Sequence, residues 1–123
     1  MISLHRPLRR VEVSGDSMAP ALLAGDRLLV TRYRRVSAGD VVALRDPRDA
    51  SRALVKRVAA TPGGAVTCGG EVLRAGRGYV VLGDNLAAST DSRVFGPVPR
   101  SALLGAAVWR YAPEARRGRL AVR

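Results

Sequence analysis

Short apolar or β-branched runs, each closed by turn-forming residues, recur along the whole chain. Runs of roughly four to eight such residues bounded by Gly, Pro, Asn and Asp predict strands rather than helices. Strands are expected over 10–14, 27–33, 40–45, 53–60, 79–82 and 106–111. Residues 65–67 and 71–74 flank Cys68-Gly69-Gly70 and read as a small hairpin. Pro20–Leu23 and Ser101–Leu104 each suggest a single helical turn. Asp46-Pro47-Arg48-Asp49 and the polar stretch from Gly83 to Pro99 read as loops, and the arginine-rich end beyond Pro113 as poorly ordered. No internal repeat or linker interrupts the pattern. The expected architecture is mostly β, a single compact domain of short antiparallel strands over 11–112. A basic segment over 1–10 precedes it, and a flexible basic tail over 113–123 follows.

Composition narrows this picture in a few places. A chain of 123 residues, 47% hydrophobic and 25% charged, is sized for one core. No apolar run approaches the ~18 residues of a membrane span. The N-terminal stretch has no apolar core of a signal peptide, so the expected location is the cytoplasm or the periphery of a membrane. Cys68 is the single cysteine and cannot close an internal disulfide. The net charge of +11 has two readings: a patch for an anionic partner, lipid or nucleic acid, or a solvated surface written in arginine. One Trp, one Phe and three Tyr provide few stacking platforms, which makes a nucleic-acid partner the weaker choice.

One residue stands apart from that arginine-rich background. Lys56 is the only lysine beside twenty arginines. Lysine can lose its proton within a workable pH range and arginine cannot, so a position that kept lysine suggests a base. In a strand Lys56 shares a face with Leu54, Val58 and Ala60. That surrounding would have to depress the amine by about 3 pH units, ~4 kcal/mol, for work near neutrality. A nucleophile is offered by Ser17 in Ser14-Gly15-Asp16-Ser17-Met18-Ala19-Pro20, at the exit of a strand, where a turn can gather N–H groups around one point. The competing account is that Ser17 or Asp16 caps the bend at Pro20. Within Gly83–Arg93, Ser89 could orient a neutral amine, and Asp91 could pair with Arg93 to hold the loop. With one His (His5) and one Cys, no Ser-His-Asp, Cys-His or zinc site built on those ligands is available. No cofactor or metal is called for.

Taken together, these segments resemble the type I signal peptidase family, whose members use a Ser/Lys dyad on a β-rich fold. Gly15-Asp16-Ser17-Met18-Ala19-Pro20 is similar to the family's nucleophile box. Gly25-Asp26-Arg27-Leu28 and Gly39-Asp40-Val41-Val42 are similar to its next landmarks. Val55-Lys56-Arg57-Val58 resembles the general-base box, and Gly83-Asp84-Asn85 through Ser89, Asp91-Ser92-Arg93 and Gly96 the closing box. The resemblance implies Ser17 as nucleophile, Lys56 as base, Ser89 as the serine that orients the lysine, and Asp91–Arg93 as a structural ion pair. It also implies substrate contacts at Gly15 and Met18. Gly15 stands where some members carry a serine as an oxyanion donor, and Ala21 where threonine is common. The short length and the absence of the usual anchor segment resemble actinobacterial peptidases that remove the N-terminal extension of nickel-containing superoxide dismutase. The expected substrate is therefore a protein precursor or extended peptide. Other readings remain: an ordinary signal peptidase lacking its anchor, a self-cleaving repressor-type peptidase, or a non-enzymatic basic binding module.

Overall fold

The computed structural model describes residues 8–120. Among the described residues nine strands form: β1 (Leu8–Glu12), β2 (Arg27–Thr31), β3 (Val41–Asp46), β4 (Asp49–Ala60), β5 (Ala65–Cys68), β6 (Glu71–Arg74), β7 (Val80–Leu82), β8 (Leu103–Ala112) and β9 (Gly118–Arg119). Seven of them build one antiparallel sheet in the order β1-β2-β8-β3-β4-β7, with β9 attached to β8, and β5-β6 is a separate hairpin. The mostly-β, single-domain expectation holds.

Strand β3 shows why the sheet is stable. Val41 and Ala43 enter a cluster with Val13, Met18, Leu22, Leu28 and Val30. Val42 and Leu44 point the other way, among Val58, Tyr79, Val81 and Val98. A strand covered on both faces reads as a continuous apolar run rather than an alternation. Each fully buried Val or Leu contributes about 1.5–3 kcal/mol.

Several boundaries differ from the sequence expectation, each for a local reason. Residues 46–49 form a tight hairpin rather than an open loop. Asp46 accepts from the Arg48 N–H at 2.8 Å and Asp49 from the Ser51 N–H at 3.0 Å, which starts β4 four residues before the expected Ala53. Strand β8 likewise starts at Leu103, because Leu103 pairs with Leu44 of β3, and the helical turn before it moves to Arg100–Ala102. The first strand covers Leu8–Glu12, set by pairing of Leu8 with Thr31 and of Glu12 with Arg27. The end of the chain, expected to be poorly ordered, is folded as far as Leu120. Glu114–Arg116 makes a turn, β9 pairs with Trp109 and Arg110, and Leu120 packs on the first cluster. Arg116 Nη1 donates to the buried Asp26 at 2.9 Å, a contact across 90 residues that no local pattern predicts. Residues 121–123 and most of the 1–10 segment lie outside the described residues.

Candidate active site

The site is assembled from three places: the turn after β1, the middle of β4 and the loop after β7. Gly15, with φ 73°, opens the turn that carries Ser17. The turn closes on its own backbone, Ala19 N–H to Asp16 O at 3.1 Å and Leu22 N–H to Met18 O at 2.9 Å. Among the described residues no hydrogen bond engages the Ser17 hydroxyl or the Asp16 carboxylate, so neither side chain acts as the cap the simpler account requires. The N–H groups of Ser17 and Met18 also donate to no acceptor among those residues. Met18, expected to touch substrate, is only 1% exposed. Its side chain anchors the turn in the first cluster.

Lys56 is 3% exposed. Its Nζ donates to Ser89 Oγ at 3.0 Å. Ser89 Oγ donates in turn to Asp91 Oδ2 at 2.8 Å. A hydroxyl has one proton, so with that proton on the carboxylate Ser89 can only accept from the amine. Burial holds the Lys56 pKa below the ordinary lysine value, and Arg48 and Arg93 push in the same direction, against the opposing pull of Asp91 and Asp46.

Asp91 organises the loop around that amine. It caps the one-turn helix Ser92–Phe95 by accepting from the Arg93 N–H, and it pairs with the Arg93 side chain, Nε to Oδ1, at 2.9 Å. Its Oδ2 also accepts from Gly83 N–H at 2.9 Å. Burial alone would raise the Asp91 carboxyl. The hydrogen bonds from Arg93, Gly83 and Ser89 outweigh it and leave the pKa lowered. Arg93 Nη2 reaches the carbonyls of Leu86 at 2.8 Å and Ser89 at 3.2 Å, tying both ends of the loop together.

Gly83 is where the three places converge. A Cβ there would lie 2.2 Å from Ser89 Oγ and 2.7 Å from the Ser17 carbonyl oxygen, so no side chain fits between them. Asn85 completes the join: its N–H donates to Ser17 O at 2.8 Å and its Nδ2 to Asp16 O at 3.1 Å. The structure thus gathers Ser17, Lys56, Ser89, Asp91 and Arg93 into one region.

Two residues that the sequence reading left without a role fix this loop from beneath. Arg57 lies on the face of β4 opposite Lys56 and grips Asp84 with Nε and Nη2, both at 2.8 Å. Its Nη1 donates to Gly39 O at 2.9 Å. Both partners of the ion pair are nearly buried, at 9% and 6% side-chain exposure. The available signal was an arginine between Val55 and Ala59 on an otherwise apolar face. Among the described residues no group of His, Cys, Asp and Glu could hold a metal ion.

The chain matches the family model described as signal peptidase, peptidase S26, over residues 2–78 and 73–112. It is 41% identical over 115 residues to mitochondrial ATP-independent inner membrane protease subunit 1a of Arabidopsis thaliana, covering 82% of this chain and 68% of that protein. It is 34% identical over 123 residues to mitochondrial inner membrane protease subunit 1 of Schizosaccharomyces pombe, covering 90% and 78%. It is 32% identical over 143 residues to probable signal peptidase I-1 of Synechocystis, covering 88% and 73%. With a mostly-β antiparallel fold and the family's boxes folded around one buried lysine, the chain belongs to the signal peptidase family, peptidase S26, and is a protease of the signal-peptidase type.

Proposed function

We propose that the protein is a serine endopeptidase in which Ser17 is the nucleophile and Lys56, as a neutral amine, its general base. The observation that carries this reading is the Lys56–Ser89–Asp91 chain of hydrogen bonds on a buried amine. Asp91 holds the proton of Ser89, Ser89 takes one N–H of Lys56, and the lone pair of the neutral amine is left for another proton. Lys56 removes the proton of Ser17, whose Oγ attacks the scissile carbonyl. The Ser17 N–H donates to the developing oxyanion. The ammonium then protonates the departing amine, and Lys56 activates water to release the Ser17 ester.

An extended peptide has two edges on which to add as a strand. Val58 directs its N–H and C=O toward β3, bonding Asp40 and Gly39 at 2.8 Å, so Ala53 and Val55 direct theirs away. Strand β7 pairs with β4 only from Arg57 onward, which leaves Ala53 and Val55 open among the described residues, just before Lys56. The other edge is β1, which leads into the Ser17 turn. The far side of β7 is closed, since Tyr79 pairs with Val98, Val81 N–H donates to Ser92 Oγ and Gly83 N–H to Asp91.

The substrate is a protein precursor carrying an N-terminal extension, cut beside small side chains. The precursor of nickel-containing superoxide dismutase is the first to assay, on the sequence resemblance. The relatives named as inner membrane proteases favour work at a membrane surface over a cytoplasmic role. None of the described residues forms a helix long and apolar enough to cross a membrane. The test is a mass spectrum of precursor before and after incubation with wild type and with Ser17→Ala. A single new N-terminus made by wild type and absent with Ser17→Ala supports the reading. Equal cleavage by both overturns it.

A further inference from the structure

The loop between β2 and β3 reads Arg32-Tyr33-Arg34-Arg35 and carries the exposed Tyr33, at 62% of its surface. Two hollows meet beneath it. One, of about 460 Å³, is lined by Arg35, Ser37, Thr61 and Arg100. The other, of about 420 Å³, is lined by Arg32, Arg34, Arg100 and Ser101. Val36 and Arg100 belong to both, so the hollows are contiguous. Among the described residues no carboxylate lines either one. Asp40, at the end of the same loop, is buried and already accepts from Arg34 at 3.2 Å and from the Ser37 N–H at 2.9 Å. Arg35 and Arg100 are exposed and have no ion-pair partner among the described residues.

We propose that this surface docks the protein on an anionic lipid bilayer, with phosphate headgroups seated at Arg35 and Arg100 and Tyr33 entering the interface. Arginines around a projecting tyrosine match the two features that hold a chain at a lipid–water boundary: attraction to anionic headgroups and an amphipathic ring at headgroup depth. A single-stranded nucleic acid would instead require a succession of exposed aromatic platforms along a basic groove, whereas Tyr79, which lines the first hollow, is buried and offers no such platform beside Tyr33. Docking would also bring the candidate active site close to the membrane. Ala38 and Gly39, at the end of the same loop, share a hollow of about 360 Å³ with Asp84 and Leu86 of the site loop. The proposal does not depend on the peptidase reading, since its readout is binding.

The test is co-sedimentation with vesicles of phosphatidylcholine alone and of phosphatidylcholine mixed with phosphatidylglycerol, at low and high salt. Wild type should sediment with the anionic vesicles only, and less so in high salt. Arg35→Gln with Arg100→Gln should weaken binding roughly 25-fold, about fivefold for each cation removed. Arg9→Gln with Arg117→Gln, the same loss of charge elsewhere on the surface, should weaken it far less, and Tyr33→Ser should raise the salt sensitivity of what remains. Melting temperatures should match wild type throughout. Equal losses from the two double variants, or equal binding to neutral vesicles, would overturn the proposal. So would a short single-stranded DNA whose binding falls in Arg35→Gln/Arg100→Gln while vesicle binding is unchanged.

Discussion

Lysine and arginine differ in one property that matters here, the ability to give up a proton, and the site is organised around the one lysine. Because burial lowers its pKa, the proposed base is neutral at a pH where free lysine is charged. The pH profile of kcat/KM should therefore rise with an apparent pKa below that of an ordinary lysine. Ser89→Ala removes the acceptor that aims the amine. It should lower kcat about 10- to 100-fold, in line with the ~1–3 kcal/mol cost of leaving a buried polar group unpaired. Adding a Cβ at Gly83 should be as harmful, because it would drive Ser89 off Lys56. Ser17, Lys56, Ser89, Asp91 and Arg93 were legible in the sequence because each is a reactive or paired side chain at a strand end, on an apolar face or in a polar loop. The position of Met18 in the core was not, since a residue adjoining a nucleophile can face either way out of a turn.

At the scale of elements, β4 carries the amine on one face and the guanidinium that locks the opposing loop on the other. Asp84→Ala would take from the nearly buried Arg57 guanidinium the carboxylate it grips. It should destabilise the domain by ~3–5 kcal/mol, read from denaturant melts. Asp91 makes a related contribution with its own pH dependence. Its folded pKa lies below that of an ordinary aspartate, so its stabilisation is present above the ordinary value and is lost as pH falls through the folded pKa. The Tm gap between wild type and Asp91→Asn should thus be wide at neutral pH and close in acid. Strand positions in the middle of the chain were legible from apolar runs and turn residues. The ends of strands were not, because Leu103 and Asp49 are recruited by partners distant or reversed in the chain rather than by their own neighbours.

For the whole molecule, the single mostly-β domain followed from length and pattern, whereas the folded-back end required a contact that sequence does not display. Asp26 accepts from Leu23 N–H, Arg110 and Arg116, which clamps the Ser17–Asp26 bend to the strand and turn near the end of the chain. Some of the twenty arginines neutralise buried acids, as in Arg57–Asp84, Arg93–Asp91 and Arg110–Asp26, and the net charge of +11 is carried by others, among them Arg35 in the loop around Tyr33. The central claim, that a deprotonated Lys56 activates Ser17, is tested most directly by Lys56→Arg, assayed by precursor cleavage with a melting curve alongside. The substitution retains most of the aliphatic stem and a cationic head, all that an ion-pairing role for Lys56 would need, and removes the neutral amine that can act as a base. A folded Lys56→Arg protein with no detectable cleavage, no worse when combined with Ser17→Ala, is the predicted result. A folded Lys56→Arg protein that cleaves the precursor at near wild-type rate would contradict it.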